Sequence, residues 1–487
     1  MDNDRNKFVV LVSDKPHNLS ICHFNMAGIT FSGNIKSRKD TADVDILIVH
    51  GLVVTMDPSF RVLEDGALAI RDGRIADLGE TADILSRYHG RKVIDAHRKL
   101  ILPGLINAHT HAPMNIYRGY ADDLSLNEWL YGRIFPLEMA FVNRDNVRMG
   151  TQLAIAEMLR SGTTTFNDMY YYSDVMAEVV DQCDIRAVLS EGLFDEPVHN
   201  AKTAADVLRF TEEMIHSWNG HPRLRIGVAV HAPYSAKPAL YRAANELAEK
   251  HQVLLSTHLS ETRWEFDQIK KQYGYTPVKH LENLGVLGPH LVIAHGIYLT
   301  REDMELLARY DVGVAHNPQC NMKLANGTAP IPELQHLGVR VGIGTDGVAS
   351  NNDLDLFDEI RSSALTQKLV TGDPTVMDAR TVLECVTIGG ARLLGMEKMI
   401  GSLEAGKQAD IILLDLKHPH AWPHYNIYSL IVYSLRGSDV ETVMVDGRLL
   451  MENREITCLD QEKLYDEVQS VQQKISSWHL QKQTGGG

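Results

Sequence analysis

Two histidines separated by one residue are the first residues of this chain whose types and spacing suggest chemistry. His109 and His111 follow the apolar segment 100–108, which reads Leu-Ile-Leu-Pro-Gly-Leu-Ile-Asn-Ala and is interrupted by its Pro-Gly pair. Side chains alternate along a strand, so the two imidazoles point to the same side. Imidazole is the commonest metal ligand in proteins, and zinc accepts two or three of them. The pair is therefore half of a candidate metal site.

Further polar residues follow other apolar segments of β-strand character. They are His231 after residues 225–230, His258 and Glu261 after 253–257, His295 after 291–294, and Asp346 after 339–344. If these strands are parallel, their carboxyl ends meet at one edge and the side chains lie close together. A single histidine or acid after a strand is usually a solvated or capping residue. Five histidines and two acids at one edge predict a metal centre instead.

The residue types indicate how the metal would act. The predicted ligands are His109, His111, His258 and Asp346. Three imidazole nitrogens and one carboxylate suit one divalent ion, zinc above all, with a position left for water. Such an ion lowers the pKa of its bound water from about 15.7 to about 7. Glu261 is close enough along the chain to carry the proton, and His295 is a neighbour that would orient hydroxide or stabilise developing charge. No lysine directly follows the strand at 225–230 to bridge two ions, so one ion is predicted.

The strands that carry these residues alternate with amphipathic segments such as 147–160, 239–251 and 301–309. Eight strand candidates occur in series, at residues 104–108, 163–167, 186–189, 225–230, 253–257, 291–294, 312–315 and 339–344. Eight strand–helix units predict an α/β fold of the (β/α)8 TIM-barrel type, with an open doubly wound sheet as the alternative. In such a barrel, the active site lies at the carboxyl ends of the strands.

Two β-rich segments flank the predicted barrel. Short strand-like runs at 46–49, 52–55, 67–70 and 74–78 are separated by His50-Gly51 and Asp72-Gly73, which are typical of hairpins. The same pattern returns at 409–415 and 440–448, with a turn at Asp446-Gly447. We expect a small antiparallel β-sandwich domain built from residues 43–102 and 400–455, beside a barrel of residues 103–399. Residues 1–42 are interpreted as an N-terminal extension, and residues 456–487 as a C-terminal helix and tail.

Composition excludes several classes of function. The 487-residue chain carries 63 acidic and 48 basic side chains, whereas a nucleic-acid surface needs concentrated lysine and arginine. No apolar run approaches the ~18–20 residues of a spanning helix, so no membrane partner is expected. The N-terminus lacks the pattern of a secretory signal, and the five cysteines are widely spaced. Both features predict a cytoplasmic protein with reduced thiols.

Six stretches of the sequence, considered together, are more specific than any single motif. They are PGLINAHTHAPMNIYRGY at 103–120, DDLSLNEWL at 122–130, GTTTFNDMY at 162–170, HLSET at 258–262, HNPQCNMKLANG at 316–327 and GTDGVASNN at 344–352. With them, the chain from about residue 43 to residue 450 resembles the amidohydrolase superfamily, and most of all its methylthioadenosine/S-adenosylhomocysteine deaminases. The resemblance implies zinc, or sometimes iron, at the four predicted ligands. It also implies that Glu261 is the proton carrier and His295 a second catalytic histidine.

The resemblance further implies a reaction, namely hydrolytic deamination of the 6-amino group of an adenosine-type nucleoside to the inosine analogue and ammonia. In this reaction Glu261 would protonate N1 of the purine, and Asp346 would pass a proton to the leaving amino group. The candidate substrates are 5′-methylthioadenosine, S-adenosylhomocysteine, 5′-deoxyadenosine and adenosine. A homodimer or homotetramer is also implied.

Three residues match positions that contact the nucleoside in this family. Glu138 would accept hydrogen bonds from both ribose hydroxyls. The alternative for Glu138 is an acid in the first turn of a helix near Pro136. His231 matches a histidine that contacts the nucleoside, and Ser350 is a candidate contact for the substituent at the 5′ carbon.

One departure from the family bears on substrate choice. Members that accept the homocysteine tail carry an arginine just after the third strand, where this chain has Ser-Glu-Gly-Leu at 190–193, and a second arginine is absent around 197–203. We expect Glu191 to repel the carboxylate of that tail. Methylthioadenosine, 5′-deoxyadenosine or adenosine is therefore predicted to be preferred to S-adenosylhomocysteine. Cys320 stands where serine is usual, and we expect its role to be structural.

Two other functions fit parts of the sequence. Residues 409–455 resemble the s-triazine chlorohydrolases and aminohydrolases of the same superfamily, whereas Gly347 and Pro136-Leu137-Glu138 are of the nucleoside-deaminase type. A non-catalytic scaffold with this fold would be expected to have lost metal ligands. Every proposed ligand is present in this chain.

Overall fold

Eight parallel strands, hydrogen-bonded in chain order, form the centre of the molecule. The computed structural model describes residues 9–15, 18–25, 28–34, 41–196 and 203–484. The eight strands, labelled β1 to β8, are Leu105–Thr110, Thr163–Tyr170, Arg186–Leu193, Leu224–Val230, Leu255–Leu259, Leu291–His295, Gly313–His316 and Arg340–Ile343. Each of the eight predicted strands corresponds to one of them, and the predicted (β/α)8 barrel is confirmed.

The barrel closes between β1 and β8, and this closure positions part of the site. Asn107 Nδ2 donates to Thr345 Oγ1 at 2.8 Å, and the Thr345 amide donates back to Asn107 Oδ1 at 3.1 Å. The amide of Asp346 donates to the carbonyl of His109 at 3.0 Å. Gly344 is required between them, because a Cβ at this position would lie 2.6 Å from backbone atoms of His109. The contacts bring Asp346 beside His109.

The sequence explains why these segments form strands and helices. Every residue of β1, β2 and β3 is buried, as expected for a parallel sheet that helices cover. Covering helices begin at capping residues such as Thr262 and Thr300, whose side chains accept from backbone amides three residues later. Others end at glycines with a left-handed backbone, such as Gly372.

Many of the described segments between strands are helical. The helices are Thr81–Arg87, Leu126–Trp129, Phe135–Phe141, Arg144–Arg160, Ser173–Cys183, Ala204–Ser217, Pro238–His251, Arg263–Tyr273, Pro277–Leu284, Arg301–Arg309, Pro318–Lys323, Ile331–His336, Leu356–Thr371, Ala379–Cys385, Ile388–Leu393, Ile427–Tyr433 and Gln461–Thr484. Short 3₁₀ turns lie at Ala112–Tyr117, Pro419–Ala421 and Gly437–Asp439, and one π turn lies at Leu130–Ile134. Within the described ranges, none of these helices has the length and apolarity needed to cross a membrane.

A second unit is a mixed sheet of nine strands from both ends of the chain. The strands are Ala42–Val54, Val62–Arg71, Arg74–Glu80, Tyr88–Asp95, Lys99–Pro103, Ile411–Asp415, Val440–Val445, Arg448–Glu452 and Glu455–Ile456. Lys99–Pro103 pairs antiparallel with Ile411–Asp415 and so joins the two segments. Apolar residues from both segments, including Ile48, Leu68 and Ile411, share one core. A small domain assembled from both ends is therefore confirmed, while its residue boundaries stay a prediction.

Two details of this domain differ from the sequence-based expectation. His50-Gly51 is not a hairpin turn, because both flanking runs belong to the single strand Ala42–Val54, which is bulged at this point. A Cβ on residue 51 would collide with Ile101, so this glycine permits close packing. The unit is also mixed rather than antiparallel, since Ala42–Val54 pairs in parallel with Tyr88–Asp95 and Lys99–Pro103.

The two predicted turns at Asp72-Gly73 and Asp446-Gly447 do connect antiparallel strands. All four residues have positive φ, between 50° and 74°, as a two-residue hairpin of this kind requires.

The two ends of the chain lie outside these units. In the N-terminal extension, the strands Val9–Lys15, Asn18–Asn25 and Gly28–Asn34 pair in antiparallel order, and the rest of residues 1–40 lies outside the described residues. The C-terminal helix Gln461–Thr484 packs Trp478 edge-on against Phe141. This contact places the helix beside the connection that follows β1.

Candidate metal centre and substrate cavity

The four predicted ligands converge at the carboxyl end of the barrel. His111 Nε2 lies 3.1 Å from Asp346 Oδ1 and 3.2 Å from His258 Nε2. His109 Nε2 lies 3.4 Å from Asp346 Oδ1. Two ligands held tetrahedrally by one zinc ion lie roughly 3.4 Å apart, given metal–ligand distances of about 2.0–2.1 Å. The spacing therefore fits one shared ion.

Hydrogen bonds on the far sides of the rings leave the ligand atoms available. His111 Nδ1 donates to the Met169 carbonyl at 2.7 Å, and His258 Nδ1 donates to the His231 carbonyl at 2.7 Å. Such bonds fix the tautomer and direct each Nε2 lone pair towards the centre. His109 Nε2 is buried and has no hydrogen-bond partner in the part of the chain that the structure describes. A cation would satisfy this atom, so the residues fit a divalent metal ion.

Burial lowers the pKa of His109 to about 4 and the pKa of His258 well below its usual value. His111 differs, because its contact with Asp346 outweighs the effect of burial and raises the pKa of His111 to about 9, so a bound cation would replace its proton. Burial alone would raise the pKa of Asp346. Contacts with His109 and His111 outweigh this effect and hold the pKa of the Asp346 carboxyl well below its usual range. Neutral imidazoles and an ionised carboxylate are the forms that bind a metal.

His295 also belongs to this cluster. One ligand atom from each of His109, His258, His295 and Asp346 lies within 4.8 Å of the others, so His295 competes with His111 for a place in the ligand set. His111 makes the two short approaches described above. His295 Nε2 instead lies 3.8 Å from Glu261 Oε2. The geometry therefore favours His111 as the ligand and leaves His295 beside the predicted proton carrier.

Glu261 is held in place by residues that the sequence analysis missed. Asn326 Nδ2 donates to Glu261 Oε1 at 2.9 Å. The amides of Ser260 and Glu261 each donate to the buried carboxylate of Glu265 at 2.9 Å, which fixes the turn that carries Glu261. The capping-box pattern Thr-Arg-Trp-Glu at 262–265 was a signal for Glu265. Asn326 lies in the stretch 316–327 that carries the family resemblance, but the sequence analysis gave it no role.

The backbone is left-handed at three points around the centre. Ser260, His295 and Asp346 have φ values of 55°, 73° and 59°. Positive φ is uncommon for residues other than glycine, and such conformations concentrate at functional sites. All three residues lie at the carboxyl ends of barrel strands, where the chain turns over the mouth of the barrel.

A cavity opens beside the metal centre, and His111, His258 and Asp346 form part of its lining. Its walls are largely apolar and aromatic, with contributions from Met114, Leu126, Trp129, Leu130, Ile134, Phe135, Tyr171, Phe194, Tyr234 and Leu324. Among the described residues that line it, none is a lysine or an arginine.

Two of the predicted substrate contacts, Glu138 and His231, line this cavity. The Tyr170 hydroxyl donates to Glu138 Oε1 at 2.6 Å, and burial raises the pKa of Glu138 to about 7. His231 Nδ1 donates to Ser235 Oγ at 2.7 Å, while that hydroxyl donates to the Ala232 carbonyl at 3.1 Å. This arrangement leaves His231 Nε2 as an acceptor. Burial lowers the pKa of His231 to about 3, so its ring is neutral.

Ser350, the third predicted substrate contact, lies beside Asp346. Ser350 is buried, does not line the cavity, and donates from Oγ to Asp346 Oδ2 at 2.8 Å. Cys320 Sγ lies at the same distance from the same oxygen. Both side chains therefore orient the Asp346 carboxylate, and a contact of Ser350 with the 5′ substituent stays a prediction.

The structure contradicts the expectation that Glu191 faces the tail of a substrate. Its carboxylate accepts from the amides of Tyr172 and Ser173 at 3.0 and 2.7 Å, at the start of the helix Ser173–Cys183. Glu191 does not line the cavity, so it does not face a substrate tail. Residues 197–202, in the segment where a second arginine was sought, lie outside the described residues.

Comparison with known sequences gives the same family over most of the chain. The profile described as "Amidohydrolase family" matches residues 100–450, and a short match to a bacterial imidazolonepropionase-like composite domain covers residues 66–90. A 5-methylthioadenosine/S-adenosylhomocysteine deaminase of Syntrophobacter fumaroxidans is 46% identical, with 88% of this chain and 98% of that protein covered. A 5′-deoxyadenosine deaminase of Methanosarcina acetivorans is 41% identical, with 88% and 98% covered.

Solved structures with the same fold include other metal-dependent hydrolases. An adenosine deaminase from Xanthomonas campestris with bound zinc has a TM-score of 0.89 and 37% identity, with 90% of this chain and 100% of that chain covered. Atrazine chlorohydrolase from Arthrobacter aurescens has a TM-score of 0.82 at 24% identity, with 88% and 100% covered, and is similar in fold alone. Profile, identity and coverage together show that this chain belongs to the amidohydrolase family and, within it, to the 5-methylthioadenosine/S-adenosylhomocysteine deaminases.

Proposed function

We propose that this protein hydrolyses the 6-amino group of adenosine-type nucleosides and releases the inosine analogue and ammonia. One observation carries the proposal, namely that the candidate metal ligands His111, His258 and Asp346 line the same cavity as Glu138. The three ligands can hold an ion that activates water, and the Glu138 carboxylate can accept hydrogen bonds from the two ribose hydroxyls. The names of the two deaminase relatives support the same reaction.

The chain's own residues have distinct roles in the proposed mechanism. A divalent ion at the four ligands would supply hydroxide at neutral pH, because binding lowers the pKa of water to about 7. Glu261, whose pKa is raised by burial, takes the proton that this water loses and donates it to N1 of the purine, so that C6 becomes electrophilic and is attacked by the hydroxide. His295 orients the attacking oxygen and stabilises its charge. Asp346 takes the remaining proton of that oxygen and passes it to the amino group, which leaves as ammonia.

Other residues bind and orient the nucleoside. Glu138 accepts from the 2′ and 3′ hydroxyls, while Tyr170 occupies one of its remaining acceptor positions. His231 Nε2 accepts one further hydrogen bond from the nucleoside. The apolar wall around Trp129 and Phe194 covers the 5′ substituent and excludes water from the reacting atoms.

The proposal is tested by a screen of nucleosides. Purified enzyme is incubated with each of the four candidate substrates, and ammonia release is measured together with the ultraviolet shift from adenine to hypoxanthine. Chloride release from a chlorinated s-triazine is measured in parallel. Turnover of the triazine alone would contradict the proposal. Absence of turnover together with absence of bound zinc, iron or manganese would favour a non-catalytic scaffold.

A preference for apolar 5′ substituents is expected. The described lining of the cavity offers no cation for the carboxylate of a homocysteine tail, and burying that charge without a partner is unfavourable. We expect kcat/KM to be at least about tenfold higher for methylthioadenosine than for S-adenosylhomocysteine, which corresponds to about 1.4 kcal/mol. The two thioether nucleosides are compared under the same conditions. A preference for the homocysteine compound would refute this expectation.

Recognition of the ribose is expected to depend on pH. Burial raises the pKa of Glu138 to about 7, so below this pH the free enzyme carries a protonated carboxyl that accepts poorly from hydroxyls. The ratio of kcat/KM for adenosine to that for 2′,3′-dideoxyadenosine should therefore fall as pH drops below about 7. Groups that act on the purine base titrate in the same way with both substrates, so their pH dependence cancels in this ratio.

A variant checks which group causes this pH dependence. The Tyr170 hydroxyl stabilises the ionised form of Glu138, so Tyr170→Phe should move the decline to higher pH. If the ratio stays constant across neutral pH, Glu138 does not bind the ribose as an ionised carboxylate.

Three finer assignments belong to the same proposal. We infer that the metal is zinc, with iron as the alternative, because imidazole and carboxylate ligands suit both. We also propose a homodimer or homotetramer and a cytoplasmic location. Element analysis of the purified protein, its mass in solution and fractionation of cells test these three assignments.

A further inference from the structure

A second group of metal-type ligands lies on the outside of the barrel. Glu212 and His216 belong to the helix Ala204–Ser217, and His251 ends the helix Pro238–His251. Residues four apart on a helix lie on the same face, so Glu212 and His216 point together towards the second helix. One ligand atom from each of the three residues lies within 4.8 Å of the others.

The side chains already contact one another. His251 Nε2 lies 2.9 Å from Glu212 Oε1. The rings of His216 and His251 meet edge to face, with centroids 5.0 Å apart and an interplanar angle of 87°. His216 is exposed, while Glu212 and His251 are half-buried, so an ion can enter from solvent and keep bound water.

We propose that Glu212, His216 and His251 form a second metal site, for a first-row divalent ion of the zinc type. Two imidazoles and one carboxylate are a known ligand set for zinc, and water would complete the coordination. The site shares no ligand with the catalytic centre. It would link two helices of the outer layer, one before β4 and one after it.

Lys250 is the competitor for this site. Its Nζ lies 2.6 Å from Glu212 Oε1, the oxygen that His251 also approaches, and its side chain is 63% exposed. Ion pairs between exposed side chains contribute little, so a divalent ion with two nitrogen ligands would displace the ammonium group.

The competition makes the proposal specific. Removing a ligand should weaken binding, whereas removing Lys250 should strengthen it, because the ammonium no longer occupies Glu212. If ions associated non-specifically with an acidic surface, removing one histidine ligand would not weaken their binding markedly. Removing Lys250 would then have only the small effect of one changed surface charge.

The test uses the full-length holoenzyme with its catalytic site already loaded. Zn²⁺ is added in chelator-free buffer, and bound zinc per chain is measured by equilibrium dialysis and element analysis. We expect the wild-type protein to take up one additional ion per chain. In His216→Ala the affinity for that ion should fall at least about tenfold. In Lys250→Met, which keeps an apolar stem, the affinity should rise several-fold.

A matched control uses His336→Ala, which removes an exposed histidine at the end of another helix and should leave the second ion unaffected. Deaminase activity should be unchanged in all three variants, which shows that they are folded. Equal uptake by wild type and His216→Ala, or weaker uptake by Lys250→Met, would overturn the proposal. Uptake that never saturates would indicate an adventitious ion only. None of these outcomes bears on the proposed deaminase reaction.

Discussion

Replacing Glu261 with glutamine is expected to lower kcat by about 10²–10⁴, the usual contribution of general acid–base catalysis. Glutamine has nearly the same shape and can still accept from Asn326 Nδ2, which donates to Glu261 Oε1 at 2.9 Å. It has no acidic proton to give to N1 of the purine. Metal content should not change, because the four proposed ligands remain. The measurement is kcat for methylthioadenosine, with bound metal determined on the same sample.

A matched change elsewhere separates chemistry from folding. Glu246 is an exposed glutamate in the helix Pro238–His251, and Glu246→Gln makes the same substitution away from the site. Its kcat should equal that of the wild type. If Glu261→Gln keeps activity within tenfold of wild type, Glu261 is not the proton carrier. If the variant loses its metal, Glu261 serves the metal centre rather than proton transfer.

The barrel could be predicted because its sequence signal is regular. Buried parallel strands are continuous apolar runs, and residues that follow them must collect at one end of the barrel. This topology alone brings His111, His258 and Asp346 together from positions more than two hundred residues apart in the sequence. The proposed ligands could therefore be chosen from their place in the pattern, without knowledge of any single contact.

The direction of a side chain was harder to predict than its position. The third predicted strand ended at residue 189, whereas β3 continues to Leu193. Inside a strand neighbouring side chains alternate, so Gly192 lines the cavity while Glu191 points to the start of a helix. The repulsion expected from Glu191 fails for this reason. The predicted preference for methylthioadenosine over S-adenosylhomocysteine then rests on one observation, that the described residues lining the cavity include no lysine or arginine.

Contacts made by irregular segments were harder to predict. Asn326 and Ser350 lie in stretches that carry the family resemblance, but the sequence did not show which residue each would contact. Asn326 meets Glu261 across 65 residues of chain, and Ser350 turns back to Asp346 within its own loop. Such contacts depend on the final packing of irregular segments, which periodicity cannot encode. The hairpin predicted at His50-Gly51 was wrong for a similar reason. A residue pair that ends in glycine between two strand-like runs is compatible with a turn and also with a bulge packed against Ile101.

Replacing Glu138 with glutamine is expected to lower kcat/KM for adenosine by about 10–100-fold. Hydrogen bonds to a charged group contribute about 1.5–3 kcal/mol, and each 1.4 kcal/mol corresponds to a factor of ten. Glutamine can keep the hydrogen bond from Tyr170, which approaches Glu138 Oε1 at 2.6 Å. It loses the negative charge and one of the two acceptor oxygens. The chemistry at C6 is distant from this change, so most of the loss should appear in KM.

The substrate provides the second half of this test. 2′,3′-Dideoxyadenosine differs from adenosine only in the two hydroxyls, so the wild-type enzyme should lose a similar factor with it. If Glu138 binds those hydroxyls, Glu138→Gln should discriminate little between the two nucleosides, because each change removes the same interaction. Additive losses would mean that Glu138 is a buried acid of the cavity wall without a role in binding ribose. The binding role is supported by the position of Glu138 on the cavity wall, where the Tyr170 hydroxyl donates to Oε1 and acceptor positions remain for a ligand.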